Sequence, residues 1–450
     1  MAGPDAEHFT DPGFGESSQY SAHLDRGWAL FDRGDLDAAR TSASQAQELR
    51  PEDPDAEMLQ GAIAVAEGHL EEGLRCYERA MELDPDYLEP YLTAAQLSLF
   101  DLDDPVRALR YCDDAADLEH LTSFDRLEIQ LIAVECELAQ GDERAARRRL
   151  HGCAELGVLD YAIELATVAN GDAAVSARPD DDPDWAMAAE YLGQDHDGEP
   201  LEPEERAERI DRVVQLALRV ARTRLDVGDA EVALDLTRTL VERFASEPDA
   251  WYLASEAEQR AGDARRSALA ALRTLQLDAQ ADLPSWLPSP ADLHGRVRDI
   301  AATFARANLR ALSDADEFLL PILVQEHPSP ELVAEGVDPR IPALALAARR
   351  SGDDVPAHEA TYELTAVTVY VRNLLRFCTD LEQFYEELQF AVLDELAVFF
   401  GLGNEQREAL GLPPLPPEAL PEAPAAPEES TEPNVKRSRR RNRAAKSSSS

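Results

Sequence analysis

Gly27-Trp-Ala-Leu-Phe-Asp-Arg-Gly34 and, 34 residues further on, Gly61-Ala-Ile-Ala-Val-Ala-Glu-Gly68 open two copies of one pattern, which Ala46 with Pro51 and Ala80 with Pro85 complete. A fixed period of this length marks stacked units, none of which can bury its apolar face alone. The residue types say what the unit is. Two antiparallel helices that pack closely need small side chains where they cross, at Gly27 and Gly61. The turn between them needs a residue tolerant of positive φ, at Gly34 and Gly68. A third copy continues with Ala95, Ala108, Tyr111 and Ala115, displaced by one residue at Asp103-Asp104-Pro105, and a fourth runs from Phe124 through Gly141, Ala146 and Leu150.

Glycine at the turn, small residues at the crossing and proline after the second helix resemble the tetratricopeptide repeat family. That resemblance implies a helical scaffold whose groove takes a peptide or helix of a partner protein. From Leu156 the pattern fades into acidic, proline-bearing sequence such as Arg178-Pro-Asp-Asp-Asp-Pro-Asp-Trp185. It returns with Gly228 and Gly262, again 34 apart, with Ala233 five residues after the first and Trp251 eleven before the second. Tyr77, Tyr87, Tyr91 and Tyr111 could line the groove; the repeat places Tyr77 and Tyr111 in its core.

The segment Thr379-Asp-Leu-Glu-Gln-Phe-Tyr-Glu-Glu-Leu-Gln-Phe-Ala-Val-Leu-Asp394-Glu395-Leu-Ala-Val398-Phe-Phe-Gly401 has apolar residues at three- and four-residue steps, so it predicts an amphipathic helix. Thr379 and Glu382 have capping-box spacing, and Gly401 stands where a left-handed residue would end the helix. Near its end, Asp394-Glu395-Leu-Ala-Val398 occupies the frame of H-E-x-x-H, a motif that puts two imidazoles one turn apart on either side of a base.

Three segments resemble the minimal zincin-like metallopeptidases of bacteria: Val392 to Leu402, Val369-Tyr-Val-Arg372-Asn373-Leu-Leu-Arg376-Phe-Cys, and Phe318 to Arg340. The resemblance covers residues 304–412. It implies a small α+β domain in which the family's histidine ligands fall on Asp394 and Val398, its glutamate base on Glu395 and its third, acidic ligand on or near Asn404. Valine has no lone pair for a cation, so neither zinc nor another cofactor is expected and the domain reads as a pseudoenzyme. The competing reading is a hydrolase with an unorthodox metal site at Asp394, Glu395 and Asn404. His327 and His358 share the domain, but no helical or short-loop spacing joins them to Asp394.

The fold class expected is mostly α, a TPR-type α-solenoid of helix-turn-helix repeats with a small α+β zincin-like domain and disordered tails. Residues 1–20 form a disordered start, 21–157 four repeats and 158–205 a degenerate helical pair with an acidic linker. Two more repeats follow at 206–281, a Pro-rich boundary and helix at 282–303, the zincin-like domain at 304–412 and a Pro-rich, basic tail at 413–450.

With 44% hydrophobic residues and 6% aromatics, the 450-residue chain can pack several helical units. A net charge of −46 sets its body against nucleic acid and anionic lipid. The exception is the tail, where Lys436, Arg437, Arg439, Arg440, Arg441, Arg443 and Lys446 come without an acid and include the chain's only lysines. It supports a second alternative, a nucleic-acid-associated factor, and a third, that the tail binds the protein's own acids; no aromatic is interleaved for base stacking. Cys76, Cys112, Cys136, Cys153 and Cys378 lack C-x-x-C spacing and are expected as reduced thiols. The first residues lack a basic start and an apolar run, and no stretch approaches eighteen apolar residues, so a soluble cytoplasmic protein is expected.

Overall fold

The computed structural model describes residues 12–166, 182–194, 198–308, 320–349 and 362–415. His358 and the basic run 436–446 lie outside the described residues. The chain divides into two compact units, one up to Ala245 and one from Ser246.

The first unit is built of helix hairpins: α1 (Pro12–Phe31) with α2 (Leu36–Leu49), α3 (Pro54–Ala66) with α4 (Leu70–Leu83), α5 (Leu88–Gln96) with α6 (Pro105–Ala116), and α7 (Ser123–Ala139) with α8 (Glu143–Gly152). A Cβ added at Gly61 would stand 2.4 Å from Cε1 of Tyr77, so only glycine lets α3 and α4 cross this closely. The turn at Gly68 has φ of +82°, which fits the three-residue step from α3 to α4. Gly34, Gly141, Gly228 and Gly262 repeat that conformation. Tyr77 is buried and Tyr111 half-buried, its hydroxyl donating to Glu78 at 2.6 Å.

The one-residue displacement in the third copy has a structural cause. Leu97–Asp101 forms a π turn in which the Leu102 N–H donates to the Leu97 carbonyl at 3.1 Å. The wider turn takes up the extra residue. Asp103, φ +52°, then serves as the left-handed residue that glycine supplies elsewhere, a role aspartate tolerates better than most side chains.

One expectation for this unit is corrected. Helix α1 starts at Pro12, inside the stretch 1–20 read as disordered: Tyr20 is buried and donates to Asp53 at 2.6 Å, which ties that helix down. The stretch 158–205, read as a degenerate helical pair with an acidic linker, does carry helices. It holds α9 (Leu156–Ala166) and α10 (Pro183–Gly193), which pack on each other, with Pro183 at the first helical position, where proline is well placed. Helix α11 (Pro203–Asp226), followed by α12 (Ala230–Arg243), packs directly on α7, so the array resumes against its fourth hairpin.

The second unit opens with the hairpin α13 (Pro248–Arg260) and α14 (Ala264–Asp278), so the expected block 206–281 is divided at 245/246. Then come α15 (Pro290–Asn308), β1 (Ile322–Gln325), α16 (Pro330–Ala334), β2 (Ala343–Arg349), β3 (Tyr362–Tyr370), α17 (Val371–Leu375), α18 (Leu381–Phe399) and α19 (Asn404–Glu408). The sheet has the order β1-β3-β2, with β1 parallel and β2 antiparallel to β3. Leu293, Val297, Ile300 and Phe304 of α15 share one core with Val367, Val369, Leu388, Val392 and Leu396, so a boundary at 303/304 would cut through a packed helix.

Arginines fasten the hairpin to this sheet. Arg340 bonds Asp249 at 2.5 Å and Asp278 at 2.8 Å, and Arg376 bonds the same two carboxylates at 3.0 and 3.1 Å. Tyr252 lies under the Arg340 guanidinium at 4.6 Å, and Arg372 donates to the Ala281 carbonyl. Between these, the buried Asn373 donates to the carbonyls of Pro339 and Ile341. Burial pushes the Asp249 carboxyl up, but Arg340 and Arg376 outweigh it and hold it below the usual carboxylate range. A depressed carboxylate stabilises the fold above its unfolded pKa and loses that contribution as pH falls. Asp249→Asn is therefore expected to cost on the order of 1 kcal/mol at pH 6, a modest value because the carboxylate meets solvent. The gap between variant and wild type in urea melts should close as pH falls below about 4.

Candidate functional site

Among the first helices of the hairpins, α1 lies beside α3, α5 beside α7 and α7 beside α11. Asp55, Ala62 and Ala66 fall at steps of seven and four on α3, which places them on one face. Thirty-four residues later Glu89, Gln96 and Phe100 repeat the steps on α5 and its π turn. All six keep some solvent exposure, and Phe100 is 43% exposed. Desolvation and the neighbouring Asp53 push the Asp55 carboxyl up against the pull of a Tyr87 hydrogen bond. Desolvation and Glu128 likewise raise Glu89 against the pull of Arg212. The row is short of positive charge.

On α7 the shortage is met from within. Arg212 of α11 donates to Asp125 at 2.7 Å and Glu128 at 2.9 Å, while Arg219 grips both oxygens of Glu135 at 2.6 Å. Two arginines seven residues apart meet carboxylates seven residues apart, so α11 runs in the same direction as α7. The bidentate pair fixes orientation as well as charge.

In the second unit α18 begins one residue later than the capping-box spacing predicts. Asp380 is the cap, accepting from the Glu382 and Gln383 N–H groups at 2.8 and 3.0 Å, and the Thr379 hydroxyl turns to Gln383 instead. Gly401, φ +65°, ends the helix as expected.

Every position of the H-E-x-x-H frame and its third ligand can now be placed. Asp394 accepts from Arg407 of α19 at 2.5 Å, and Glu395 accepts the Ala345 N–H of edge strand β2 at 3.0 Å. Val398, one turn beyond Asp394, is 43% exposed. Asn404 accepts the Leu415 N–H at 2.8 Å. Arg407 is the residue that sequence reasoning missed. Only 2% exposed, it also donates from Nε to the Pro413 carbonyl at 2.9 Å. Pro413–Leu415 are thus tied to α19, although the tail expected to be disordered begins at 413.

The geometry brings a guanidinium, and no second ligand, to Asp394. His327 instead faces its neighbour's carbonyl, with Nδ1 2.9 Å from the Pro328 oxygen. Among the described residues no three His, Cys, Asp or Glu side chains are grouped to hold a metal ion. Likewise, no described helix is long and apolar enough to cross a membrane. All five cysteines are free thiols; the Cys136 hydrogen bond and burial push the Cys112 thiol far up.

The helix hairpins are of tetratricopeptide type. Similar solved structures include PilF of Pseudomonas aeruginosa, 13% identical over 59% of this chain and 95% of its own, with a TM-score of 0.37. YrrB, described as a TPR protein with an unusual peptide-binding site, is 11% identical over 53% of this chain and 93% of its own, at 0.31. TTC0263 of Thermus thermophilus, another TPR protein, is 15% identical over 53% and 99%, at 0.33. No family model and no curated protein matches the chain.

Removing one partner of a buried ion pair leaves the other uncompensated, and here the partly exposed Asp394 softens that cost. Arg407→Met is expected to destabilise the second unit by roughly 1–3 kcal/mol in denaturant melts, and Asp394→Asn by less than half as much.

Proposed function

We propose that the protein is a non-catalytic scaffold that binds a segment of a partner protein along the first-helix face of its N-terminal unit. The observation that carries this reading is the duplicated, partly exposed row Asp55, Ala62, Ala66 and Glu89, Gln96, Phe100, acidic at one end and small or aromatic at the other. Small side chains leave room for a bound backbone, and carboxylates raised above their usual range favour a cation beside them. A segment with a basic residue next to an apolar one fits this chemistry. Peptides selected from a displayed library on the full chain should lose about tenfold or more in affinity in the D55R/E89R variant, equivalent to about 1.4 kcal/mol, with Tm unchanged. Binders indifferent to both charge reversals would sink the reading.

The segment 304–412, in the same proposal, is a degenerate relative of the minimal zincin-like metallopeptidases that serves as a second contact surface. Supporting this, Asp394, Glu395 and Asn404 are each engaged by Arg407, by the β2 backbone or by the Leu415 N–H, while Val398 has nothing to offer a cation. Metal analysis of the protein purified with zinc in the buffer should find well below one equivalent, and peptide hydrolysis should be indistinguishable in wild type and Glu395→Gln. One tightly held equivalent of zinc would restore the hydrolase alternative at Asp394, Glu395 and Asn404.

A further inference from the structure

The basic tail and a groove on the second unit have matching chemistry. The groove, about 770 Å3 in volume, follows the outer stripe of α18 through Leu381, Tyr385, Gln389 and Leu393, each one turn from the next. That stripe is about 18 Å long at 1.5 Å per residue. Phe390 adds a second aromatic, Glu382 and Glu386 supply carboxylates, and Leu410 to Leu412 close one side. Arg296 of α15 already stands over the Tyr385 ring at 5.4 Å, so the floor accepts a guanidinium face to face.

We infer that this groove binds arginines, and that its occupant is the arginine run Arg437 to Arg443 of the chain's own tail. Spacing supports the match. Arg437, Arg439, Arg441 and Arg443 fall at every second residue. In an extended segment such residues repeat about every 6.5 Å. Glu382 and Glu386 are one helical turn apart, about 6 Å along α18. Two successive arginines of that register can therefore face the two carboxylates, with Tyr385 and Phe390 beneath their planes.

Attachment favours the same chain. Leu412 is part of the groove wall, and 20 residues separate Leu415 from Lys436. Rich in proline, that length reaches roughly 60 Å at 3.1 Å per residue, well beyond the groove. A tethered ligand also acts at an effective concentration that a free peptide does not have. Occupation would offset one part of the chain's large negative charge.

The lysine distribution makes a direct test available, because Lys436 and Lys446 are the only lysines and both flank the run. Carbodiimide treatment of the full chain joins a lysine amine to a carboxylate within contact distance. At low salt the dominant products from Lys436 or Lys446 should be links within one monomer to Glu382 or Glu386. Their yield should fall about fivefold between 50 and 500 mM salt, as expected for a screened ionic contact. In the E382Q/E386Q variant those links should disappear without an equal gain elsewhere. The inference is overturned if Glu382 and Glu386 are linked no more than exposed carboxylates such as Glu72 and Glu242. It is equally overturned if the links join two chains, or if a nucleic acid must be present for any site-selective product to form.

Discussion

A two-helix hairpin can cover only one side of each helix, so the whole N-terminal unit depends on each hairpin finding a neighbour to seal the other. The seams are made of the smallest side chains available. Ala39, Ala43, Ala46, Ala80, Ala108, Ala115 and Ala146 are all fully buried, and Gly61 admits the Tyr77 ring where even a methyl group would collide. At about 25 cal/mol per Å2 of apolar surface removed from water, stability accumulates at these seams rather than inside any one hairpin. Where α11 meets the fourth hairpin, the apolar seam is reinforced by charge: Arg212 and Arg219 close against three carboxylates of α7.

Much of this was legible because it rests on local rules. The turn glycines follow from backbone sterics, and their spacing gave the period without any knowledge of contacts. What escaped was non-local. The helical pair α9 and α10 was expected, but not that α11 beyond it packs on α7, because distance along the chain says nothing about which helices touch. The Arg212 and Arg219 pairs span 84 to 87 residues, so their matching heptad spacing could be recognised only once α7 and α11 had been set side by side. At the start of α18, Thr379 and Asp380 both carry acceptors suited to a cap, and the backbone, not the residue type, selected Asp380.

Read by spacing alone, the second unit asked whether Asp394 could still hold a metal. No periodicity announces the answer, because Arg407 sits beyond a glycine turn on a five-residue helix and in sequence looks like one more surface arginine. Its burial is a tertiary fact. The same residue type recurs wherever this acidic protein needs a cation inside: Arg340 and Arg376 between Asp249 and Asp278, Arg219 on Glu135, Arg407 on Asp394. A planar fork that keeps its charge on burial suits these sites better than an ammonium would, and lysine is absent from the folded body.

The π turn at Leu97–Asp101 keeps the third hairpin in phase with its neighbours. An insertion in the middle of a helix ordinarily rotates everything after it by about 100° and would have turned the third hairpin's sealing face toward water. Widening a single turn confined that rotation to five residues, so the later hairpins kept their phase. The surplus residue is thus absorbed within one turn, and the register of the hairpins on either side is kept.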